Sequence, residues 1–182
     1  HHFDRYDALI ALGGGVVGDI TGYCAATYMR GIRYIQVPTT LLAQTDAAIG
    51  GKTGVNLNGF KNIVGAFHMP SSVYIHPQVL RSLPDRQLSN GMAENIKHAL
   101  IRDEAFAGYL YSVKDKVFNR DFGVLSKIIR TSCEIKRSVV EKDPEEIGER
   151  AVLNFGHTIG HAIEKELDFK LFHGECVALG SI

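Results

Sequence analysis

The chain has 182 residues, of which 45% are hydrophobic and 22% charged, and 20 basic side chains balance 20 acidic ones. This composition is typical of a globular protein with one or two domains. A formal net charge of zero argues against a nucleic-acid or anionic-membrane surface, because such surfaces need an excess of Lys and Arg. No apolar run approaches the ~20 residues of a membrane span, so we expect neither nucleic acid nor a membrane as partner.

The first part of the chain alternates strands with helices. An apolar run over residues 8–12 leads into three glycines, which predicts a buried parallel strand followed by a turn. We expect an amphipathic helix over about 17–28 and a second strand over 33–37. This order predicts a βαβ unit of an α/β domain.

The segment after the second predicted strand is less regular. Thr39 or Thr40 can cap a helix that begins at Leu41. Residues 50–53 (Gly-Gly-Lys-Thr) are expected to form a loop, and residues 72–75 are a candidate for one more strand.

From about Pro84 the pattern changes, because apolar residues recur at helical spacing and strand signals disappear. The predicted fold class is therefore α/β, with a partial parallel-sheet domain over residues 1–83 and an all-α domain over 84–182. The four predicted helices span residues 86–101, 106–117, 122–140 and 149–166.

The chain ends and the cysteines carry two further expectations. The sequence begins with His1-His2 instead of methionine and stops at Ile182 inside an apolar run, so we expect part of a larger protein. Cys24, Cys133 and Cys176 are scattered and odd in number. This favours free thiols packed as small core residues in the reducing cytoplasm.

A glycine-rich turn follows the first predicted strand, in the sequence Gly13-Gly14-Gly15-Val-Val-Gly18-Asp19. Glycines there allow backbone N–H groups to approach a pyrophosphate at the start of a helix. The spacing differs from the usual GxGxxG, and a tight turn that needs positive φ is the alternative interpretation. Asp19 fits either a ribose ligand or a first-turn helix position.

A second candidate site lies in the sequence Asp46-Ala-Ala-Ile-Gly-Gly51-Lys52-Thr, followed by Lys61-Asn62. Glycines beside lysines and amides make a suitable pocket for an anionic group. The segment does not match the P-loop pattern GxxxxGK[ST], and solvated loop lysines remain the alternative.

Glu94, His157, His161 and His173 form a candidate metal site. His157 and His161 are four residues apart, so on a helix both project from the same face. Two imidazoles and a carboxylate with an open position suit a catalytic zinc ion. Spacing alone leaves open whether His161 or the nearby His98 is a ligand.

The last candidate group contains Lys136, Glu146, Arg150 and Asn154. Arg150 and Asn154 share a helix face at i, i+4, and together with Lys136 they could bind an anionic substrate. An ordinary charged helix face is the alternative.

Taken together, these segments resemble the 3-dehydroquinate synthases, a family of sugar phosphate cyclases. The resemblance runs from Gly13 to Gly180 and corresponds to the middle of that family's chain. Tyr23, Ala47-Ala48 and His76 depart from the residues that are usual there. The matching segments are GGGVVGDITGY (13–23), RGIRYIQVPTTLLAQTDAAIGGKTGVN (30–56), KNIVGAF (61–67), LRSLPDRQLSNGMAENIK (80–97), ERAVLNFGHTIGHAIE (149–164) and HGECVA (173–178).

The resemblance implies an NAD-binding α/β domain, a Zn²⁺ or Co²⁺ ion held by Glu94, His157 and His173, and a homodimer in which Arg30 reaches the neighbouring site. It also implies catalytic roles for His161, Glu146, Lys97 and Lys52. Implied NAD-binding residues are Gly14, Gly15, Val16, Asp19, Thr39, Thr40, Lys52, Lys61, Ser82 and Asn90. Implied substrate-binding residues are Arg30, Asp46, Lys52, Asn62, Lys97, Lys136, Arg150 and Asn154.

The reaction implied by the resemblance converts 3-deoxy-D-arabino-heptulosonate 7-phosphate to 3-dehydroquinate and phosphate, with NAD reduced and then reoxidised in the same site. Three alternatives compete with it. One is a sister cyclase such as 2-deoxy-scyllo-inosose synthase, whose substrate lacks the carboxylate that Arg150 suits. The others are a metal-dependent polyol dehydrogenase and a non-catalytic remnant that only binds a metal or a partner.

Overall fold

A computed structural model describes residues 3–182 and shows a parallel three-stranded sheet in the first part of the chain. Strand β1 (Ala8–Gly13) pairs with β2 (Arg33–Pro38), and β2 pairs with the two-residue strand β5 (Ser72–Val73). Helix α1 (Gly15–Thr27) connects β1 to β2. The predicted α/β class with a parallel sheet is thus confirmed, although the strand expected over residues 72–75 is shorter.

Helix α1 lies unusually close to its neighbours because two of its residues are glycines. A Cβ atom on Gly18 would lie 2.6 Å from Gln36 Oε1 of β2, and one on Gly22 would overlap the Thr53 side chain. These two glycines therefore allow the helix to pack tightly against β2 and the strand that contains Thr53.

An antiparallel hairpin follows the sheet strands and was not predicted. It consists of β3 (Lys52–Leu57) and β4 (Phe60–Phe67), joined by Asn58 and Gly59 with φ values of 52° and 80°. Two positive φ values are typical of the type I′ turn that Asn-Gly favours. The prediction of a loop over residues 50–53 was wrong for Lys52 and Thr53, because both already belong to β3.

The helix expected from Leu41 is short and ends in a π-helical turn over Ala43–Ala47. Thr40 Oγ1 accepts a hydrogen bond from the Ala43 backbone N–H at 3.2 Å, which confirms Thr40 as the capping residue.

The rest of the described chain is helical, as the sequence predicted. The predicted helix over 106–117 is divided at Val113, and the one over 149–166 is divided into a 3₁₀ helix (Glu149–Asn154) and an α-helix. Gly156 separates these two, with a left-handed φ of 76° that ends any continuous helix. The helices are α2 (Asp85–Arg102), α3 (Glu104–Ser112), α4 (Lys114–Phe118), α5 (Phe122–Lys142), α6 (His157–Glu166) and α7 (His173–Gly180).

The main hydrophobic core joins α2 to α5 and includes Leu88, Leu125 and Ile128, all fully buried. Leu41 and Leu80 belong to the same cluster, although they precede the predicted boundary between residues 83 and 84. The division into two domains at that boundary stays a prediction.

The structure also bears on the expectations about membrane-spanning helices and about the cysteines. No helix in the described part of the chain is long and apolar enough to cross a bilayer. All three cysteines carry free thiols, as predicted, but the expectation of core packing was wrong for Cys24, which is exposed. Cys176 is buried and Cys133 is partly buried.

Candidate active site

A cavity of about 830 Å³ is lined by residues of α1, the hairpin, α2, α5, α6 and α7. It brings together most of the residues singled out from the sequence, although they span 160 positions of the chain. The lining residues among them are Gly14, Gly15, Val16, Asp19, Thr40, Asp46, Lys52, Lys61, Asn62, Asn90, Lys97, Lys136, Glu146, Arg150, Asn154, His157, His161 and His173.

Four of the predicted residues do not line this cavity. Glu94 is fully buried directly behind the histidines that it contacts. The Thr39 backbone N–H donates to the Gly13 carbonyl at 2.8 Å, Ser82 is exposed at the end of a 3₁₀ helix, and Arg30 is exposed after α1. The roles of Thr39 and Ser82 in binding NAD, and of Arg30 in reaching a neighbouring site, stay predictions.

Three side chains at one end of the cavity are arranged as metal ligands. Glu94 comes from the middle of α2, whereas His157 and His173 are the first residues of α6 and α7. Glu94 Oε1 lies 3.8 Å from His157 Nε2 and 3.5 Å from His173 Nε2, and the His157 and His173 ring centroids are 5.1 Å apart. One ligand atom from each residue lies within 4.8 Å of the others, a spacing that suits a single divalent cation.

The second oxygen of Glu94 is held by Lys97, one turn further along α2. Lys97 Nζ forms an ion pair with Glu94 Oε2, and both side chains are almost completely buried. Glu94 Oε1 is buried and has no hydrogen-bond partner among the described residues. A buried carboxylate oxygen without a partner is costly, so this atom fits a cation held between it and the two imidazoles.

His173 lies between two carboxylates. Burial alone would lower its pKa, but Glu164 and Glu94 beside the ring outweigh that effect and raise the pKa to about 9. The pKa of His157 is lowered by burial and by the nearby Lys97 ammonium. In the metal-free site His173 is therefore the imidazole that holds a proton at neutral pH, and a bound cation would have to displace it.

His161 and His98 differ sharply in their surroundings. His161 lines the cavity, with its ring centroid 5.2 Å from that of His157, and it forms a second ligand-like group with Glu164 and His173. His98 is fully buried, and burial lowers its pKa to about 4. Its Nδ1 lies 2.5 Å from Ser132 Oγ, so His98 is a neutral core side chain behind the cavity.

Next to this cluster, the cavity wall carries cations that are already oriented by acceptors. Lys136 Nζ contacts both the carboxylate and the carbonyl oxygen of Asp46 at 2.6 Å. Burial would raise the pKa of Asp46, but Lys136, Lys97 and His98 outweigh that effect and hold it well below its usual range. Asp46 thus fixes the position of the Lys136 ammonium.

Arg150 and the Lys52–Glu146 pair complete this wall. Arg150 is 2% exposed and donates to the carbonyls of Pro144 and Gly50 at 2.5 and 3.0 Å. Glu146 pairs with Lys52 and accepts from Asn154 Nδ2 at 3.0 Å. Burial raises the pKa of Glu146, but these two partners outweigh it and lower the pKa overall.

The glycine-rich turn faces the cavity at the start of α1. None of Gly13, Gly14 and Gly15 has positive φ, so the alternative of a tight left-handed turn was wrong. The open N-terminus of a 13-residue helix is electropositive and suits a phosphate group. Asp19 is partly buried in the same wall, and burial together with Asp46 raises its pKa to about 6.

Comparison with known proteins shows the same arrangement of segments across the whole chain. Residues 1–90 match the family described as 3-dehydroquinate synthase N-terminal, and residues 91–182 match 3-dehydroquinate synthase C-terminal. The chain belongs to the 3-dehydroquinate synthase family. A relative named 3-dehydroquinate synthase from Acetivibrio thermocellus is 56% identical over 179 residues, which are 98% of this chain and 50% of the relative. The chain therefore spans about half the length of the curated relatives it matches.

Two solved structures of related cyclases have the same fold. The 2-epi-5-epi-valiolone synthase of Streptomyces hygroscopicus subsp. jinggangensis, with NAD⁺ and Zn²⁺ bound, is 34% identical with a TM-score of 0.90 and covers 94% of this chain and 48% of its own. A 2-deoxy-scyllo-inosose synthase, complexed with carbaglucose-6-phosphate, NAD⁺ and Co²⁺, is 33% identical with a TM-score of 0.85. It covers 98% of this chain and 50% of its own.

Within this 3-dehydroquinate synthase fold, Glu164 is a polar site residue that the sequence analysis did not single out. It is buried, forms an ion pair with Lys61 at 2.7 Å and lies 3.3 Å from His173 Nδ1. A signal was present, because Glu164 follows His157 and His161 at i+7 and i+3 and so shares their helix face.

Proposed function

We propose that this chain provides the catalytic cleft of a 3-dehydroquinate synthase, which converts 3-deoxy-D-arabino-heptulosonate 7-phosphate to 3-dehydroquinate and phosphate. The observation that carries the proposal is the content of one cavity. A carboxylate–imidazole cluster shares the cavity with a set of anchored lysine and arginine side chains. A phosphorylated sugar acid needs both features, since it presents hydroxyls to a cation and two anionic groups to the cationic side chains.

The proposed cofactors are NAD and a divalent metal, Zn²⁺ or Co²⁺. The unpartnered Glu94 Oε1 beside two imidazoles fits the metal, and the open N-terminus of α1 in the cavity wall fits the pyrophosphate of NAD. When bound, the metal would polarise substrate oxygens, and NAD would accept and return a hydride, so the net reaction is a phosphate elimination. The structures of the two related cyclases contain such ligands, NAD⁺ with Zn²⁺ in one and NAD⁺ with Co²⁺ in the other.

Arg150 is proposed to bind the substrate carboxylate. Its guanidinium carries five N–H donors, and the described residues accept from two of its nitrogens, so donors remain for a ligand. The carbonyls of Pro144 and Gly50 hold the planar fork in one orientation, which suits a carboxylate better than a flexible ammonium would.

Lys52, Lys136 and Lys97 are proposed to bind the phosphate and hydroxyl oxygens. Lys136 and Lys97 are fixed by Asp46 and Glu94, so they supply positive charge at set positions without reorganisation when a substrate enters. Lys52 is the most exposed of the three and could leave Glu146 for an incoming phosphate.

Glu146 is proposed to accept a proton during the reaction, with His161 near the reacting oxygens. Because Lys52 and Asn154 lower the pKa of Glu146, the carboxylate is ionised at neutral pH and able to accept a proton. Movement of Lys52 to a substrate phosphate would remove part of that stabilisation and make Glu146 a stronger base. A homodimer completed by Arg30 and a cytoplasmic location also remain part of the proposal.

The test is an assay of the protein that contains this chain, with the heptulosonate phosphate, a catalytic amount of NAD and Zn²⁺ or Co²⁺. We expect release of inorganic phosphate without accumulation of NADH, followed through its absorbance. The variant His157→Ala should lose bound metal and activity together, while His76→Ala, an exposed histidine away from the cavity, should keep both.

Each alternative function has its own outcome in this assay. Stoichiometric NADH without phosphate release would show a polyol dehydrogenase. Turnover of a sugar phosphate that lacks a carboxylate, in preference to the heptulosonate, would show a sister cyclase. Binding of metal without turnover of either substrate would show a non-catalytic protein.

A further inference from the structure

Glu164 links two parts of the cavity that are far apart in the chain. It lies near the end of α6, is 4% exposed and has its Oε1 atom 2.7 Å from Lys61 Nζ of β4. The same Oε1 atom lies 3.3 Å from His173 Nδ1 at the start of α7. One buried carboxylate oxygen therefore faces both an ammonium and an imidazole.

A buried carboxylate is retained only where charge and hydrogen-bond donors compensate for lost hydration. Lys61 supplies the positive charge. His173 Nδ1 is itself buried without a hydrogen bond among the described residues, and Glu164 Oε1, 3.3 Å away, is the acceptor placed to receive its proton when that proton is on Nδ1. With the proton there, the Nε2 lone pair faces Glu94 Oε1, 3.5 Å away, where the cation is proposed to bind.

We propose that Glu164 is a positioning residue that fixes the His173 tautomer and ring orientation, so that Nε2 is presented to the metal, while Lys61 keeps Glu164 itself from becoming a ligand. This inference rests on the metal centre of the proposed function. Carboxylates that accept from the second nitrogen of a metal-bound histidine raise its basicity and hold its ring in place.

A different arrangement would make Glu164 a direct ligand, since His161, Glu164 and His173 also form a ligand-like group. Lys61 argues against it, because its ammonium already lies 2.7 Å from Glu164 Oε1, the oxygen that faces His173. A divalent cation at that oxygen would have to displace the Lys61 ammonium, which already compensates the buried carboxylate.

The first test compares Co²⁺ binding by the wild-type chain, Glu164→Gln and the control Glu166→Gln, which changes an exposed glutamate on the same helix. Binding is followed through the visible absorption bands of Co²⁺, and circular dichroism of the metal-free chains verifies folding. We expect one Co²⁺ per chain, a Kd about 10–100-fold weaker with altered bands in Glu164→Gln, and no change in Glu166→Gln.

Equal Co²⁺ affinity and spectra in Glu164→Gln and wild type would overturn the inference. Two Co²⁺ ions per wild-type chain, one of which is lost in Glu164→Gln, would also overturn it and show a ligand role. The variant Glu94→Gln tests the proposed metal centre separately. If Glu94→Gln loses Co²⁺ binding and Glu164→Gln does not, the metal centre is supported and only the positioning role of Glu164 is rejected. A wild-type chain that binds no Co²⁺ overturns both.

A second measurement needs no substitution and therefore does not depend on the folding of a variant. Two-bond ¹H–¹⁵N correlation spectra of the Zn²⁺-loaded chain report which nitrogen of His173 carries the proton. We expect a proton on Nδ1 and the metal on Nε2. A metal-bound Nδ1 would overturn the inference whatever the affinities show.

Discussion

Gly91 is the point of closest approach between α2, which carries Glu94 and Lys97, and the backbone that follows β2. A Cβ atom on Gly91 would lie 2.6 Å from the Leu42 backbone nitrogen and 2.7 Å from Leu41 Cβ. Real Cβ atoms essentially never come closer than 3.0 Å to another heavy atom, so the change Gly91→Ala forces α2 to move by a few tenths of an ångström.

The change in the free energy of unfolding caused by Gly91→Ala is the sum of two opposed effects. Alanine in a helix interior is worth about 0.5–1 kcal/mol more than glycine, whereas overpacking a well-filled core costs about 1–3 kcal/mol. Gly108 in α3 provides the matched control, because its Cβ would meet nothing within 4 Å and its site is exposed. Gly108→Ala should therefore stabilise the chain by about 0.5–1 kcal/mol, and Gly91→Ala should be about 2 kcal/mol less stable than Gly108→Ala.

Urea unfolding of the metal-free chains measures this difference directly. If the m-value is the same for both variants, the difference in midpoint converts to free energy. The same two variants are then titrated with Co²⁺, and we expect weaker binding only in Gly91→Ala, since α2 carries Glu94. Equal stabilisation by both substitutions would refute the close approach of α2 to Leu41 and Leu42.

Three further predictions test charged groups. Arg150→Lys should raise the KM for a carboxylate substrate by about tenfold or more because the planar fork is lost, and an unchanged KM would contradict the carboxylate role. Lys97→Met should destabilise the metal-free chain by about 3–5 kcal/mol, because the buried Glu94 carboxylate loses the Lys97 ammonium. Added Zn²⁺ should restore part of that loss, and an equal loss with and without Zn²⁺ would contradict this explanation. The Arg86 guanidinium lowers the pKa of Glu175 to about 2, so that pair stabilises the fold above about pH 4.5 and the effect is lost as the pH falls towards 2. Arg86→Gln should flatten the pH dependence of unfolding in that window, and parallel curves would exclude the pair as a contributor.

The β3–β4 hairpin was not predicted because the hydrophobic pattern of the segment was given more weight than its turn residues. Residues 50–67 contain several glycines and polar side chains, so hydrophobic alternation is weak and the segment resembles a loop. The dipeptide Asn58-Gly59 nevertheless marks a two-residue turn, and both residues adopt the positive φ values that this turn needs. Turn chemistry was the stronger predictor here.

The broken helix after residue 149 has a different cause. The apolar spacing continues across Gly156, so periodicity alone predicts one helix. The break lies at Gly156, which has a left-handed φ and approaches α7 so closely that a Cβ there would lie 2.8 Å from the Val177 carbonyl oxygen. A contact between residues that are distant in sequence cannot be read from the spacing of either segment.

The candidate site was easier to anticipate than its supports. His157 and His161 are visible as a pair because one helix face carries both. Glu94 and His173 were further candidate ligands, and the family resemblance implied the set Glu94, His157 and His173. The partners that orient them, such as Glu164 for His173, come from contacts between separate elements. Charged residues that bind a ligand and charged residues that position another side chain look alike in a sequence.

The metal cluster joins two layers that are held by different forces. Glu94 lies on α2, which is anchored in the main hydrophobic core, whereas none of the described residues of α6 or α7 belongs to that core cluster. Those two helices instead pack through close glycine contacts and through charge pairs such as Arg86 with Glu175. A cation bound by Glu94, His157 and His173 would therefore tie the less anchored layer to the core, so binding of metal and ordering of α6 and α7 should be thermodynamically linked.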